Sequence, residues 1–169
     1  GDVYKRQTMS FEKVREYLEQ FGLGDRAIDL AQCSGTVAQA AADLGCEEAH
    51  IAKTMAFQTK TGPILVVLAG DAKINNSLYK AQFGTKAVMI PPDKLVELVG
   101  HPMGGVCPFD HLPGVPVYLD ESLRRFDIVY PAAGTDHSAV RLHIPELERA
   151  AQEFAGWVDI GKGWRPEES

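Results

Sequence analysis

The sequence predicts one α+β domain with a mixed β-sheet. Three observations carry that expectation. Strand-like and helix-like stretches follow one another without the regular alternation of a doubly wound fold. Two β-rich apolar stretches, Ile51 to Gln58 and Ile64 to Ala69, are joined by the turn residues Lys60-Thr61-Gly62-Pro63 and form a hairpin, so the sheet is not wholly parallel. The 169 residues, 45% hydrophobic and 24% charged, have the size and balance of one ordinary globular domain. The domain is expected over residues 9–161, with residues 1–8 a non-native or disordered leader and 162–169 a tail.

Each element follows from its local pattern. Phe11, Val14, Leu18 and Phe21 recur at helical spacing, with Ser10 as N-cap and Gly22 as the stop. Ala27 to Ala31 suits a short strand or a helical turn. Thr36-Val37-Ala38-Gln39 has a hydroxyl at the N-cap and an amide three residues on, and it opens an alanine-rich helix ended by Gly45. Ile64 to Ala69 is continuously apolar, as in a central strand covered on both faces. Asn76 to Phe83 makes a short helix stopped by Gly84, and Lys86 to Ile90 a short strand. Pro92 to Val99 is a helix with proline in its first turn. Gly100 to Phe109, rich in glycine and proline, is an irregular loop. Val115 to Leu119 is a strand that Pro116 restricts to an edge position or to the strand's start. Asp120 to Arg125 gives one or two helical turns, Asp127 to Ala132 a strand, Ala133 to His137 a turn and Ala139 to His143 a returning strand. A helix from Pro145 to Phe154 and a strand from Val158 to Ile160 complete the domain, and the chain frays from Gly161.

The totals exclude some functions. A net charge of −6 argues against a strong, sequence-independent nucleic-acid binder. Between Ile51 and Pro92, however, Lys53, Lys60, Lys73, Lys80 and Lys86 stand against Asp71 alone. A basic middle on an acidic protein suits a locally held anionic ligand, and a solvated lysine face accounts for it as well. No apolar run approaches the roughly 20 residues of a membrane span, and no signal segment is visible at the start. Cys33, Cys46 and Cys107 are irregularly spaced, which suits a reducing, cytoplasmic setting rather than a disulfide framework.

Lys53 breaks the pattern of its strand. Side chains alternate, so Ile51, Lys53, Met55 and Phe57 share one face. A lysine among large apolar neighbours either meets solvent or points into a pocket that needs an ammonium. The loop from Gly100 to Phe109 is its candidate counterpart, because glycine lets backbone approach a ligand and proline fixes the loop. That loop is neither a Walker loop nor a dinucleotide fingerprint. Cys107 with His101, His111 or His137 would make a thiol enzyme, yet no spacing pairs them, and a small semi-buried loop residue is the plainer reading. Zinc ligation by His101, Cys107 and His111 matches no standard spacing, and neither metal nor cofactor is expected. Asp136-His137-Ser138 are contiguous, which does not suit a catalytic triad. Placed after Gly134, they suit a pocket rim or a solvated hairpin tip.

Taken together, Ile51-Ala52-Lys53-Thr54-Met55, the hairpin after it, the G-x-x-x-P loop Gly104-Gly105-Val106-Cys107-Pro108, and Ala132-Ala133-Gly134 resemble a known family. This is the YbaK/prolyl-tRNA-synthetase-associated editing domain, and within it the freestanding ProX/YbaK/EbsC-like deacylases. The likeness spans Phe11 to Ile160. It implies a barrel-like mixed sheet flanked by helices. It also implies hydrolysis of the ester that joins a wrong amino acid to the 3′ end of tRNA. On that resemblance Lys53 and Gly104 are the catalytic positions. Gly105, Val106, Cys107 and Pro108, with Thr135, Asp136 and His137, are the substrate-binding ones. The implied partners are the acceptor end of an aminoacyl-tRNA, carrying alanine, cysteine or serine on tRNA-Pro, and a prolyl-tRNA synthetase. Monomer and homodimer both remain open. A non-catalytic nucleotide- or aminoacyl-binding module is the alternative.

Overall fold

The computed structural model describes residues 2–30 and 36–166. Helix α1 (Asp2–Glu19) starts well before the expected cap, so Ser10 lies inside it. Its later turns bury Val14 and Leu18, both at 0% exposure, against the sheet. Strand β1 (Ala27–Asp29) follows and ends before Leu30; Ala31 and Cys33 lie outside the described residues. Helix α2 (Val37–Leu44) is capped as its sequence requires. Thr36 Oγ1 accepts from the Gln39 N–H at 3.1 Å, and Gly45 closes the helix at φ 71°.

Strands β2 (Ile51–Thr59) and β3 (Gly62–Ala69) form the expected hairpin, in register from Ala52↔Ala69 to Thr59↔Gly62. At the turn, Thr59 Oγ1 donates to the Gly62 carbonyl at 2.7 Å. Strand β4 (Lys73–Ile74) leads into helix α3 (Asn76–Phe83), capped by Asn75. The expected strand from Lys86 to Ile90 is reduced to one antiparallel bridge, Phe57↔Met89. After a tight helical turn at Pro92–Lys94, helix α4 (Leu95–Val99) ends at Gly100.

Strand β5 (Val117–Asp120) begins just after Pro116, whose carbonyl accepts from the Leu65 N–H at 3.0 Å. Proline therefore sits ahead of the strand, not inside the ladder. Strands β6 (Ile128–Pro131), β7 (Ser138–Val140) and β8 (Leu142–His143) replace the simple returning pair. Of β7 and β8, β8 pairs with β6, whereas β7 turns away to pair with β1. Helix α5 (Ile144–Ala150) stops short of Phe154, which instead opens strand β9 (Phe154–Val158). The chain beyond it does not fray at Gly161: strand β10 (Gly161–Lys162) pairs with β4. It is anchored by buried Asp120, which accepts from the Ile160 N–H at 2.8 Å and the Ser122 N–H at 3.0 Å.

The main sheet runs β8-β6-β2-β3-β5-β9 and curls into a half-barrel with parallel and antiparallel pairs. The fold is the expected mixed α+β domain. β3 lies in its middle and separates two cores. Leu65, Val67 and Ala69 enter the larger core under α1, whereas Ile64, Val66 and Leu68 enter a smaller one with Tyr79 and Ile160. Both faces are covered, which is why β3 shows no polar alternation. Each such aliphatic side chain stabilises by about 1.5–3 kcal/mol relative to exposure. Among the described residues, no helix is long and apolar enough to cross a membrane.

Candidate functional site

A cavity of ≈ 510 Å³ opens beside β2. Ile51, Ala52, Lys53, Thr54, Met55 and Ala56 all line it. Consecutive residues of a strand point to opposite faces, so a wall seen face-on would show only every second one. The ladder explains the run. β6 pairs with β2 only at Ile51 and Ala52. Farther along, the Gln58 N–H donates to the Val88 carbonyl at 2.8 Å, and Ala56 O accepts from the Ile90 N–H at 3.0 Å. Alternation of the antiparallel ladder turns the backbone groups of Thr54 to that same side. The edge of β2 is thus open between the two pairings, and the cavity reaches residues of both faces.

Lys53 is half-buried in that wall. It shares its face with Met55 and Phe57, which pack on the smaller core, as the alternation predicts. Loss of water around its ammonium pushes its pKa below the ordinary 10.5; Asp71 opposes this, and Lys73 adds to it. Asp71 is committed elsewhere, in a two-pronged pair with Arg125 at 2.6 and 2.9 Å. Among the described residues no carboxylate reaches ion-pair distance of Lys53. The cavity therefore holds a partly desolvated cation that an anionic group would complement.

Gly104 lies on the same cavity, with Met103 and Val106. The loop is placed by close backbone approach to the turn after β6. A β-carbon on Gly104, at φ +86°, would stand 2.6 Å from the Asp136 Cβ, and one on Gly105 would stand 2.4 Å from the Gly134 carbonyl oxygen. Gly134, at φ +88°, is itself packed under α1, where a β-carbon would come within 2.9 Å of the Ser10 carbonyl oxygen. Helix α1, the turn and the loop are stacked at the glycines of the turn and the loop.

The turn is held by hydroxyls. Thr135 Oγ1 donates to Ser138 Oγ at 2.8 Å, and the Ser138 hydroxyl donates to the Thr135 carbonyl at 3.2 Å. Ser138 Oγ also accepts from the Ala133 N–H at 3.1 Å. Thr135 and Asp136 line the cavity; His137 does not, and its Nδ1 stands 2.9 Å from Asp136 Oδ1.

Of the residues expected from sequence, Lys53, Gly104, Val106, Thr135 and Asp136 meet at one cavity. Gly105, Cys107 and Pro108 are buried behind its wall. Cys107, at 0% exposure, belongs to the larger core, and burial pushes its thiol up to about 12. His101 Nε2 lies 3.5 Å from Cys107 Sγ but only 2.7 Å from the Phe109 carbonyl oxygen. A carbonyl only accepts, so that nitrogen carries its proton and cannot take one from the thiol. His111 is directed at the carbonyls of Leu112 and Gln152. These observations speak against a thiol enzyme.

Sequence reasoning gave Thr54 no site role, left Ser138 between a pocket rim and a hairpin tip, and missed the α2 face formed by Val37, Ala40 and Leu44. The spacing of the last three was visible, but what that face met was not.

Comparison with known proteins adds the lineage. The Aminoacyl-tRNA editing domain family matches residues 34–150. The chain is 40% identical over 157 residues to protein YwhH of Bacillus subtilis (strain 168), covering 92% of this chain and 99% of that one. Among solved structures it resembles a protein described as a candidate trans-editing enzyme for prolyl tRNA synthetase, with 28% identity and a TM-score of 0.83, covering 91% of this chain and 98% of that one. It also resembles hypothetical protein APE2540, with 30% identity and a TM-score of 0.79, covering 89% of this chain and 99% of that one. Strand, loop and turn meet at one cavity inside a match that spans them all: the chain belongs to the aminoacyl-tRNA editing domain family.

Proposed function

We propose that the chain is a trans-acting aminoacyl-tRNA deacylase, clearing tRNA-Pro that carries alanine, cysteine or serine. The observation that carries this reading is the shared cavity of Lys53 and Gly104, residues far apart in sequence. Its volume, ≈ 510 Å³, lies in the ordinary range for small-ligand sites and suits an aminoacylated adenosine. Membership in the editing family and likeness to a candidate trans-editing protein support the same activity. Its partner is the acceptor end of the tRNA, alongside a prolyl-tRNA synthetase, in the cytoplasm.

The chemistry asks little of the protein. Water adds to the ester carbonyl carbon, the bond to the ribose oxygen breaks, and that oxygen takes a proton. The products are a free amino acid and a tRNA with its hydroxyl restored. An ester is already activated, so orientation and charge stabilisation suffice. Lys53 supplies positive charge to a phosphate or to the developing oxyanion. Gly104 lets backbone approach the substrate where a side chain would block it. Thr135 and Asp136 shape the opposite wall.

The test is a panel of mischarged tRNAs given to wild type and Lys53→Ala. Wild type should cleave at least one faster than buffer does, and the variant should lose that rate. Stabilisation by ligand without turnover would favour a non-catalytic binding module instead.

A further inference from the structure

The cavity wall is mostly apolar, and Thr54, one of the residues that line it, carries a buried side-chain oxygen without a partner. Thr54 Oγ1 is buried and finds no hydrogen-bond partner among the described residues. Alternation places its side chain on the face of Ala52 and Ala56, both in the larger core. Small residues thus flank the hydroxyl on its own strand, while Val37, Ala40, Ile90 and Val106 line the cavity from other segments. A buried hydroxyl without a partner is costly, and such groups in native proteins call for an explanation. Valine has the same shape, favours strands and would carry no such cost here.

The surroundings select what can complete the hydroxyl. An apolar wall penalises a charged group far more than a neutral one. The α-ammonium of an aminoacyl ester is better served by Asp136 and by the open backbone edge at Thr54. A neutral O–H or S–H group suits the hydroxyl. We infer that Thr54 is a specificity-determining residue whose hydroxyl hydrogen-bonds the side chain of the amino acid being removed. The substrate is then a small amino acid bearing a hydroxyl or thiol, of serine or cysteine size, in preference to alanine. This rests on the deacylase reading and narrows it.

The experiment compares wild type, Thr54→Val and Thr54→Ser on one tRNA charged in turn with serine, cysteine and alanine. Binding of non-hydrolysable 3′-seryl-amide and 3′-alanyl-amide adenosine is measured in parallel. Wild type should favour seryl over alanyl substrate about tenfold, the scale of one neutral hydrogen bond. Thr54→Val should bring that ratio close to one, and Thr54→Ser should keep it. Thr54→Val should also melt at or above the wild-type temperature, since no structural partner is lost. An unchanged seryl-to-alanyl ratio in Thr54→Val overturns the inference. So does an equal loss on both substrates, which would assign the hydroxyl to a part that they share. If wild type cleaves no charged tRNA, the deacylase reading fails, and the ratio of analogue affinities still decides the role of Thr54. Failure of wild type to bind either analogue overturns that role too.

Discussion

Gly105→Ala tests whether two backbone segments meet to build the site. Gly105 is absent from the positive-φ glycines, so the constraint is space and not conformation. The added methyl carbon would lie 2.4 Å from the Gly134 carbonyl oxygen, 2.5 Å from its carbon and 2.8 Å from the Thr135 nitrogen. All three are backbone atoms, and none can swing aside as a flexible side chain would. Restoring ordinary contact near 3.5 Å requires the segments to part by about 1 Å. Overpacking of this kind costs roughly 1–3 kcal/mol. For a domain of this size that lowers Tm by about 2–12 °C. A shift of about 1 Å at a site can also slow turnover by roughly 10²-fold. Gly114→Ala is the control: its φ of +84° is strained, yet nothing lies within 4 Å and it stands outside the cavity wall. It should cost about 1–2 kcal/mol from backbone strain alone and retain activity. Melting curves and deacylation rates of both variants are the assay. If Gly105→Ala melts within about 1 °C of wild type and turns over normally, the close approach of loop and turn is refuted.

Other perturbations separate the roles of individual residues. Lys53→Met should slow hydrolysis by roughly 10²–10³-fold and yet melt no lower than wild type, because it removes a desolvated charge. The Lys53 pKa lies below 10.5 in the folded protein, so the unfolded chain binds more protons between the two values. This residue's contribution to wild-type stability should therefore rise as pH climbs through that window, a rise that urea midpoints should show to be missing in the Met variant. Glu146 has the same sign in an acidic window: Arg26, at 2.7 and 2.9 Å, holds its carboxyl below the ordinary 4.5. Its contribution is full above 4.5 and fades as pH falls through the lowered value, so acid unfolding of Arg26→Ala should show less of this loss. Cys107→Ser should keep deacylation while losing about 1–3 kcal/mol from a hydroxyl set in the core. In the native protein iodoacetamide should modify half-buried Cys46 and spare Cys107; loss of turnover in Cys107→Ser would revive thiol catalysis.

Legibility followed the range of the forces involved. The helix cap at Thr36, glycine stops at Gly45 and Gly84, and the β2–β3 hairpin are set by neighbours within a few residues, and all were readable. Lys53 stood out for the same reason, since strand period and side-chain chemistry are local. Met89 illustrates the failure: its segment makes one bridge, because it meets only the far end of the open β2 edge. Phe154 shows another, where pairing with Val117 in the sheet outweighed helical continuation.

By itself the sequence determined the mixed sheet, the strand that bears Lys53 and the glycine-rich loop, and with them the family likeness. Only the tertiary structure decided which of those residues share a cavity. It withdrew Cys107 into the core, brought Gly104 against Asp136 and left the Thr54 hydroxyl buried without a partner. The reason is that burial and backbone approach depend on segments distant in the chain, and no local pattern records which distant segment arrives.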